Sequence, residues 1–160
     1  MKGEIRLANI DDKDEVVELL NKVALHLERK GIKQWSYPWD SEEIAEEISK
    51  GFIYILIVNS FIVGTFSIKD TNYVNVPLIE AENNYLYRVA VLPEYFRRNL
   101  GIKMVNYAME LSREKSKYLY LDCWAGNNKL REFYASAGLE LVGDVPEEDY
   151  MVSVFKYLFF

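Results

Sequence analysis

The sequence predicts a single α+β domain with a mixed β-sheet and helices on both faces of that sheet. The chain has 160 residues, a length that fits one domain. Half of its residues are hydrophobic, which is enough to build a large core. β-rich and helical runs follow one another in the order β-α-α-β-β-β-α-β-α-β-β, and no Ser-, Gly- or Pro-rich linker separates them.

The first half of the chain predicts three strands and two helices. Asp11-Asp12 offers capping side chains before a run with hydrophobic residues at helical spacing, and Gly31 ends that helix. A second helix begins at Asp40 or Ser41 and ends at Lys50. The predicted strands are Glu4–Ala8, Phe52–Asn59 and Phe61–Asp70, and a tight turn at Asn59-Ser60 joins the last two.

The second half of the chain alternates strands and helices, as expected of a sheet that contains parallel strands. Thr71–Asn84 has mixed polarity and contains Pro77, so it predicts a loop. Strands are predicted at Tyr85–Leu92, Tyr118–Trp124, Leu139–Val142 and Met151–Leu158, and helices at Leu100–Lys115 and Asn127–Ala137.

The composition excludes several kinds of chemistry. One cysteine cannot form a disulfide within the chain, and one histidine leaves almost no basis for a Cys/His metal cluster, so no metal is predicted. A mechanism with a Ser-His-Asp or Cys-His arrangement would have to use His26. Acidic residues number 25 and basic residues 19, a net charge of −6 that argues against a nucleic-acid partner.

The N-terminus, the apolar stretches and the cysteine of the sequence indicate the cellular compartment of the protein. The N-terminus is charged and has no apolar run of signal-peptide length. The longest apolar stretches, 52–58 and 61–66, are too short to span a bilayer, so no membrane partner is predicted. The free thiol of Cys123 agrees with a reducing compartment, and we expect a cytoplasmic protein.

A basic loop ahead of the helix that begins at Leu100 is the first candidate site. Arg97, Arg98 and Lys103 surround a helix N-terminus, where backbone N–H groups and the helix dipole both favour an anion. In an acidic chain this local positive charge indicates a pyrophosphate site. An ordinary exposed turn that carries arginines is the alternative.

Val91-Leu92-Pro93 precedes this loop and Gly101 follows it, and together they resemble the core signature of the GCN5-related N-acetyltransferase (GNAT) family. In that signature a strand ends in Val-x-Pro, and Arg/Gln-x-x-Gly-x-Gly/Ala and a helix follow. Val91-Leu92-Pro93 matches the strand end and Gly101 the final glycine, whereas Phe96 stands at the Arg/Gln position and Asn99 at the middle glycine. Because Asn tolerates a left-handed backbone better than other non-glycine residues, we expect Asn99 to permit the turn.

A second stretch resembles the same family. Tyr120–Asn127 is similar to its fifth strand and exit loop, and Asn127-x-x-Leu130-x-x-Phe133-Tyr134 is similar to Asn-x-x-Ala-x-x-Leu/Phe-Tyr. The resemblance implies one N-acetyltransferase domain over residues 3–159. It also implies a mostly antiparallel central sheet in which the fourth and fifth strands are parallel and splay apart.

The resemblance implies that acetyl-CoA binds in the gap between those two strands. The backbone of the fourth strand would pair with the pantetheine arm, and a backbone N–H near Ala90 or Val91 would stabilise the oxyanion. The basic loop would hold the pyrophosphate, Asn127 would reach the pantetheine, and Tyr134 would lie near the thioester sulfur. The implied cofactor-binding residues are Val89, Ala90, Val91, Arg97, Arg98, Asn99, Leu100, Gly101, Ile102, Asn127 and Tyr134.

The implied reaction moves the acetyl group from sulfur to a primary amine of a small molecule. Tyr134 is the candidate acid for the leaving thiolate, with a role as a core aromatic as the alternative. Glu80 and Glu82 are the candidate bases, and a solvated acidic loop is the alternative for them. We expect His26 to be a surface or half-buried helix residue and Cys123 to be a buried, inert thiol.

The acceptor amine is the least specified part of the prediction. Trp35, Tyr37 and Trp39 are candidates for the wall of an acceptor pocket through cation–π contact, with core packing as the alternative. Acetylation of a protein N-terminus or lysine is a second possible activity. A CoA-binding sensor or assembly protein with little catalysis is a third, because two signature positions differ. The apolar segment 157–160 favours a homodimer.

Overall fold

The structure is a computed structural model that describes residues 3–32 and 35–158. The strands are β1 (Glu4–Leu7), β2 (Ile53–Val58), β3 (Phe61–Asp70), β4 (Asn84–Val91), β5 (Leu119–Trp124), β6 (Glu140–Glu147) and β7 (Tyr150–Tyr157). The α-helices are α1 (Lys13–Arg29), α2 (Ser41–Ser49), α3 (Leu100–Glu114) and α4 (Asn128–Ala137). The predicted partner surface at 157–160 lies partly outside the described residues, because Phe159 and Phe160 are not among them.

The strands form one mixed sheet in the order β1-β2-β3-β4-β5-β7-β6. β4 and β5 are parallel, whereas β2 pairs antiparallel with β1 and β3, and β7 with β5 and β6. This arrangement confirms the predicted α+β fold with its parallel fourth and fifth strands.

Two strand predictions show how local chemistry sets the boundaries. Asn59 and Ser60 have positive φ angles of 51° and 69°, so the two-residue turn between β2 and β3 has the left-handed backbone that matches strand twist. β6 runs to Glu147 and passes through Pro146, whereas the prediction ended this strand at Val142. Because β6 is an edge strand, the missing N–H of Pro146 can face away from the sheet.

The start of α1 differs from the predicted capping by Asp11 and Asp12. A short 3-10 turn, Ile10–Asp12, precedes the helix, and Asn9 caps that turn by accepting the Asp11 N–H at 2.9 Å. The carboxylate of Asp12 accepts the Asn9 N–H at 2.8 Å and two hydrogen bonds from the Arg6 guanidinium, at 2.8 and 3.1 Å. Asp12 therefore fastens β1 to the turn instead of capping α1 with its side chain.

Replacing Asp12 with asparagine should destabilise the protein at neutral pH but not in acid. The hydrogen bonds from Arg6 hold the pKa of the Asp12 carboxyl below its ordinary value. This stabilisation is complete above the ordinary carboxyl pKa of about 4, and it is lost as the pH falls through the lower folded pKa. Because Arg6 is more than a third exposed, we expect only about 1 kcal/mol at pH 7.

Urea unfolding of the wild type and of the Asp12→Asn variant, at pH 7 and below pH 3, measures this difference. Asp11→Asn is the matched control, since the Asp11 side chain is exposed and only its backbone N–H takes part in the turn. Equal destabilisation by the Asp12 variant at both pH values would contradict the linkage.

The chain divides into two compact units, each with its own core. The first consists of Met1–Ser67 and Arg88–Met104, and the second of Ile68–Tyr87 and Val105–Phe160. The core of the first unit joins α1, α2 and β2, and its fully buried members include Val16, Leu20, Ile44, Ile53 and Ile55. One hydrophobic cluster of the second unit joins β5, β6 and β7 through Tyr120, Val145, Val152 and Val154.

No α-helix among the described residues has the length and apolar character needed to cross a membrane.

Candidate functional site

The basic loop of the first unit has a backbone suited to an anion. Arg97 and Asn99 have positive φ angles of 65° and 60°, which confirms that Asn99 adopts the left-handed conformation expected of it. The carbonyl of Asn99 accepts the Lys103 N–H at 3.3 Å, so Asn99 occupies the position just before α3. The first-turn N–H groups that follow have no partner within the helix. Loops in which the backbone hand alternates in this way commonly form anion-binding concavities.

Positive side chains surround this backbone. Arg97 and Arg98 are exposed, and the Arg98 guanidinium carbon lies 5.1 Å from the centroid of the Tyr95 ring. Lys103 follows in the first turn of α3 and is half-buried. Two guanidinium groups and an ammonium group beside a helix N-terminus fit the charge of a diphosphate.

Phe96 takes a different role from the polar residue of the family signature. Phe96 is 41% exposed, and its ring makes an edge-to-face contact with His26 of α1, with the ring centroids 5.3 Å apart. His26 is half-buried, as predicted, and its Nε2 has no hydrogen-bond partner among the described residues. The signature position therefore contacts α1 and offers no polar group to a ligand.

The end of β4 has one edge that is not directed at β3. The Leu92 N–H donates to the Val63 carbonyl at 2.9 Å, so the backbone groups of Leu92 face β3. By strand alternation those of Ala90 also face β3, whereas those of Val89 and Val91 face away from it. Val89 and Val91 thus have the orientation that pairing with an extended ligand requires, and Ala90 does not.

The start of α3 is held close to β3 by a glycine. A Cβ atom at Gly64 would lie 3.1 Å from the Met104 sulfur and 3.2 Å from the Ala90 carbonyl oxygen. Gly64 and Met104 are both buried, so the first turns of α3, which follow the loop, pack closely against β3.

Changing Asn99 should separate backbone conformation from side-chain chemistry in this loop. Asn99→Gly restores the signature glycine and accepts the positive φ without strain, so CoA affinity should stay within about threefold of the wild type. Asn99→Val puts a β-branched residue at the same φ, and we expect affinity to fall about tenfold or more. Calorimetric titration with CoA measures both. Equal affinity of the two variants would show that the loop backbone does not matter for binding.

Asn127 and Tyr134 belong to the second unit. Asn127 caps α4, because its Oδ1 accepts the Leu130 N–H at 3.1 Å. Its side-chain NH₂ is the group left for a ligand. Tyr134 is buried on α4, and its ring centroid lies 5.8 Å from that of Phe155. No hydrogen bond to its hydroxyl is formed within residues 3–32 and 35–158, and burial raises its pKa above the ordinary value.

Cys123 is a buried thiol, as predicted. Burial is the largest of the causes that raise its pKa to about 11, and the charge of Asp122 raises it further. The thiol is therefore protonated at neutral pH, which agrees with the expectation of an inert side chain.

The candidate bases Glu80 and Glu82 are exposed on the loop that precedes β4. The carboxylate of Glu80 lies 3.7 Å from the Lys156 ammonium group, and the Glu80 carbonyl accepts the Thr71 hydroxyl at 2.6 Å. Glu82 has a positive φ of 63°, and its N–H donates to the Asn72 side chain at 3.2 Å. The loop is thus ordered by backbone and side-chain hydrogen bonds.

The candidate acceptor wall divides into packed and exposed members. Trp35 and Trp39 are half-buried against the core of the first unit and meet edge to face, with centroids 6.0 Å apart. The guanidinium carbon of Arg88 lies 4.7 Å from the Trp39 ring. Tyr37 is exposed. Two of the three rings therefore contribute to the core, and one face of Trp39 already meets a cation.

A hydrogen-bonded pair in the second unit was not singled out from the sequence. The Tyr85 hydroxyl donates to Asp122 Oδ2 at 2.8 Å. Asp122 is half-buried, and burial raises the pKa of its carboxyl. The available signal was an aspartate between Leu121 and Cys123 in an otherwise apolar strand, since a buried carboxylate requires a partner.

No group of three or more His, Cys, Asp or Glu side chains in the described part of the chain is placed to hold a metal ion.

The sequence and the fold both identify the class of protein. The sequence profile of the acetyltransferase (GNAT) family matches residues 18–139, which is most of the chain. The chain therefore belongs to the GNAT acetyltransferase family. This membership supports an acyl-CoA-dependent N-acyltransferase. Among curated proteins, no sequence matches the chain.

Solved structures share this fold with TM-scores between 0.72 and 0.81. The PaiA N-acetyltransferase of Thermoplasma acidophilum, in complex with coenzyme A, has a TM-score of 0.74 and 20% identity over 98% of this chain and 100% of that one. A spermidine N-acetyltransferase SpeG chimera from Vibrio cholerae and hSSAT has a TM-score of 0.76 and 16% identity, over 99% of this chain and 96% of that one. The ribosomal-protein-S18-alanine N-acetyltransferase of Escherichia coli has a TM-score of 0.72 and 15% identity, over 98% of this chain and 93% of that one. These proteins are similar to the chain in fold, and two of their names state an acceptor, spermidine in one and the alanine of a ribosomal protein in the other.

Proposed function

We propose that this protein is an N-acetyltransferase that transfers acetyl from acetyl-CoA to the primary amine of a small molecule. The observation that carries the proposal is the loop ahead of α3, in which Arg97 and Asn99 have positive φ angles beside two exposed guanidinium groups. Family membership and the CoA complex of the PaiA enzyme support acyl-CoA as the donor.

The proposed cofactor contacts use backbone more than side chains. The backbone of Arg97–Ile102 would bind the pyrophosphate, and Arg98 and Lys103 would add positive charge. Val89 and Val91 would pair with the pantetheine as an added strand does, and the Val91 N–H is the candidate donor to the oxyanion. The remaining NH₂ of Asn127 would donate to the pantetheine.

Tyr134 is proposed to assist the leaving sulfur. Acetyl-CoA supplies the activated acyl group, so the protein needs no nucleophile of its own. Because burial raises the pKa of Tyr134 above that of a thiol, about 8.5, giving up its proton outright is unfavourable. Its role is therefore to donate a hydrogen bond to the sulfur as charge develops there. Glu80 and Glu82, on the loop before β4, are the candidate bases that the sequence predicts.

A small cationic amine is the proposed acceptor. The net charge of −6 favours a cation, and the spermidine enzyme of the same fold acts on one. Tyr37 is exposed and can contribute a ring to the acceptor site together with Trp35 and Trp39. Acetylation of a protein N-terminus is the second candidate, which the ribosomal-protein enzyme of the same fold favours.

Two measurements test the proposal. Calorimetric titration with acetyl-CoA should give saturable binding at micromolar concentrations. Release of the CoA thiol is then followed over a panel of alkylamines, polyamines, amino acids and short peptides. Turnover with amines but not peptides supports the small-molecule reading, and turnover with peptides alone supports the second candidate. Tight binding without turnover on any acceptor would support a CoA-binding sensor. This alternative rests on Phe96, an apolar residue at a position where the family signature has Arg or Gln.

We propose that residues 3–159 act as one N-acetyltransferase domain, that the protein is cytoplasmic, and that it forms a homodimer. Tyr157 and Leu158, the described part of the apolar terminal segment, are half-buried. Sedimentation over a range of concentrations tests the dimer, and a monomer mass at every concentration would refute it.

A further inference from the structure

We propose that Asp122 is the general base of the reaction and that Asp122, Tyr85 and Trp124 form the binding site for an alkylammonium acceptor. This inference rests on the proposed function, because it assigns the acceptor half of an acetyl transfer.

The strand register places these three side chains on one face of the second unit. Side chains alternate along β5, so Tyr120, Asp122 and Trp124 share a face. Tyr85 of β4 pairs with Tyr120 and therefore lies on that face as well. The hydrogen bond of 2.8 Å from the Tyr85 hydroxyl to Asp122 Oδ2 agrees with this placement.

The parallel ladder ends next to Asp122. It pairs Asn84 with Leu119 and Tyr85 with Tyr120. Both strands continue, β4 through Tyr87 and β5 through Asp122, but among the described residues of the second unit these later positions are not paired with each other. On its other edge β5 pairs with β7 along all six residues from Leu119 to Trp124. The backbones of β4 and β5 are therefore no longer hydrogen-bonded to each other at Asp122. The half-buried Asp122 carboxylate can contact a ligand there.

The surroundings of Asp122 suit a proton acceptor. Burial is the main cause that raises its pKa, the charge of Glu147 raises it further, and the hydrogen bond from Tyr85 lowers it. A raised pKa of the Asp122 carboxyl group lies nearer to the pKa of the ammonium group that it must deprotonate, which favours the proton transfer. The titratable or charged groups that face or influence Asp122 are Tyr85 and Tyr87 of β4, Cys123 of β5, Tyr134 of α4, Glu147 of β6, and Tyr150 and Lys156 of β7.

Trp124 supplies an aromatic wall two residues from the carboxylate. It is 40% exposed, and its ring lies over Gly126, where a Cβ atom would come within 2.5 Å of the indole carbon Cζ2. The same unit shows that aromatic rings hold ammonium groups. The Nζ atom of Lys69 lies 4.5 Å from the centroid of Tyr87, and that of Lys156 lies 4.4 Å from the centroid of Tyr118. A carboxylate beside an exposed indole is a fitting site for an alkylammonium ion.

The transfer balances with Asp122 as the base. The ammonium nitrogen gives one proton to the Asp122 carboxylate and becomes a neutral amine. Its lone pair forms the C–N bond to the thioester carbonyl carbon, and the C–S bond breaks with its electrons on sulfur. The nitrogen loses its second proton, which neutralises the sulfur with Tyr134 as hydrogen-bond donor. Asp122 returns its proton to solvent, so the products are the amide, the CoA thiol and one proton.

The test is the pH dependence of kcat/KM for the best alkylamine of the panel, in the wild type and in Asp122→Asn. We expect the variant to lose about a hundredfold or more at pH 7, with unchanged affinity for acetyl-CoA. Without a base the variant relies on amine that is already neutral, so its kcat/KM should rise about tenfold per pH unit, and the gap to the wild type should close in alkali.

Matched variants separate chemistry from folding. Asp144→Asn is the control, because the Asp144 carboxylate also accepts a hydrogen bond from a hydroxyl group, that of Ser153 at 2.6 Å. Ser153 pairs with Cys123, so this carboxylate lies on the face of the sheet opposite to Asp122. The control variant should leave activity and its pH slope unchanged. Tyr85→Phe tests a positioning residue and should shift the acid limb of the profile. Trp124→Ala should raise KM for the amine and not for acetyl-CoA.

Three outcomes would overturn the inference. A wild-type rate in Asp122→Asn does so directly, above all if Glu80→Gln or Glu82→Gln abolishes turnover instead. A loss that is the same at every pH would assign Asp122 a structural role. Failure of the wild type to acetylate any amine would overturn the proposed function, and this inference with it, whereas the first two outcomes leave the proposed function intact.

Discussion

Replacing both Arg97 and Arg98 with alanine should weaken acetyl-CoA binding by about tenfold to a hundredfold, or about 1.4 to 2.8 kcal/mol. Both side chains are exposed next to a loop whose backbone already points N–H groups outward. The backbone contacts would remain in the variant, so binding should be weakened and not abolished. Removing two positive charges should also flatten the dependence of the Kd on salt.

The matched control lies at the other end of α3. Arg113→Ala combined with Lys115→Ala removes the same amount of charge from exposed positions, but about 20 Å away along the helix. If both double variants weaken binding equally, the net charge of the protein matters and the loop does not. Calorimetric titrations at two salt concentrations distinguish these results.

Tyr134→Phe should lower kcat about tenfold to a hundredfold with little change in CoA affinity. The substitution keeps the buried ring and its contact with Phe155, and it removes only the hydroxyl. Since that hydroxyl has no hydrogen-bond partner in the described part of the chain, its loss leaves no protein group unsatisfied. A purely structural Tyr134 therefore predicts no change in rate, and that result would remove it from the mechanism.

The pH profile gives a second reading of Tyr134. Burial raises its pKa above the ordinary value of about 10, so the hydroxyl stays protonated through neutral and mildly alkaline pH. We expect its ionisation to cause no fall in kcat between about pH 7 and 9. Tyr107→Phe, on the exposed side of α3, is the control and should leave the rate unchanged.

The fold could be predicted because local signals agreed with one another. Gly31 and Gly51 follow the first two helices with positive φ angles of 82° and 74°, and Gly138 follows α4 with 107°. A single glycine therefore indicates where each of these three helices ends. The exceptions depended on tertiary context. An edge strand tolerates Pro146, and Arg6 together with the Asn9 N–H binds the Asp12 carboxylate that was predicted to cap the helix.

The candidate site was less predictable, since one side chain can serve two neighbours. The backbone of Asn99 behaves as its residue type indicates. Asn127 matches a family motif, yet part of its side chain caps α4. Trp35 and Trp39 form a dense aromatic cluster, but their packing into the core depends on contacts with distant elements. Asp122 gave a weak signal because a single acid in a strand does not reveal its partner on another strand.

The state of Cys123 has a practical consequence for the assays that follow release of the CoA thiol. It is the single cysteine of the chain, it is buried, and its pKa is raised to about 11. A thiol-reactive dye therefore meets almost no thiolate on the native protein at neutral pH. Colour that develops during turnover can be read directly as CoA released, and no cysteine has to be removed to clear the background.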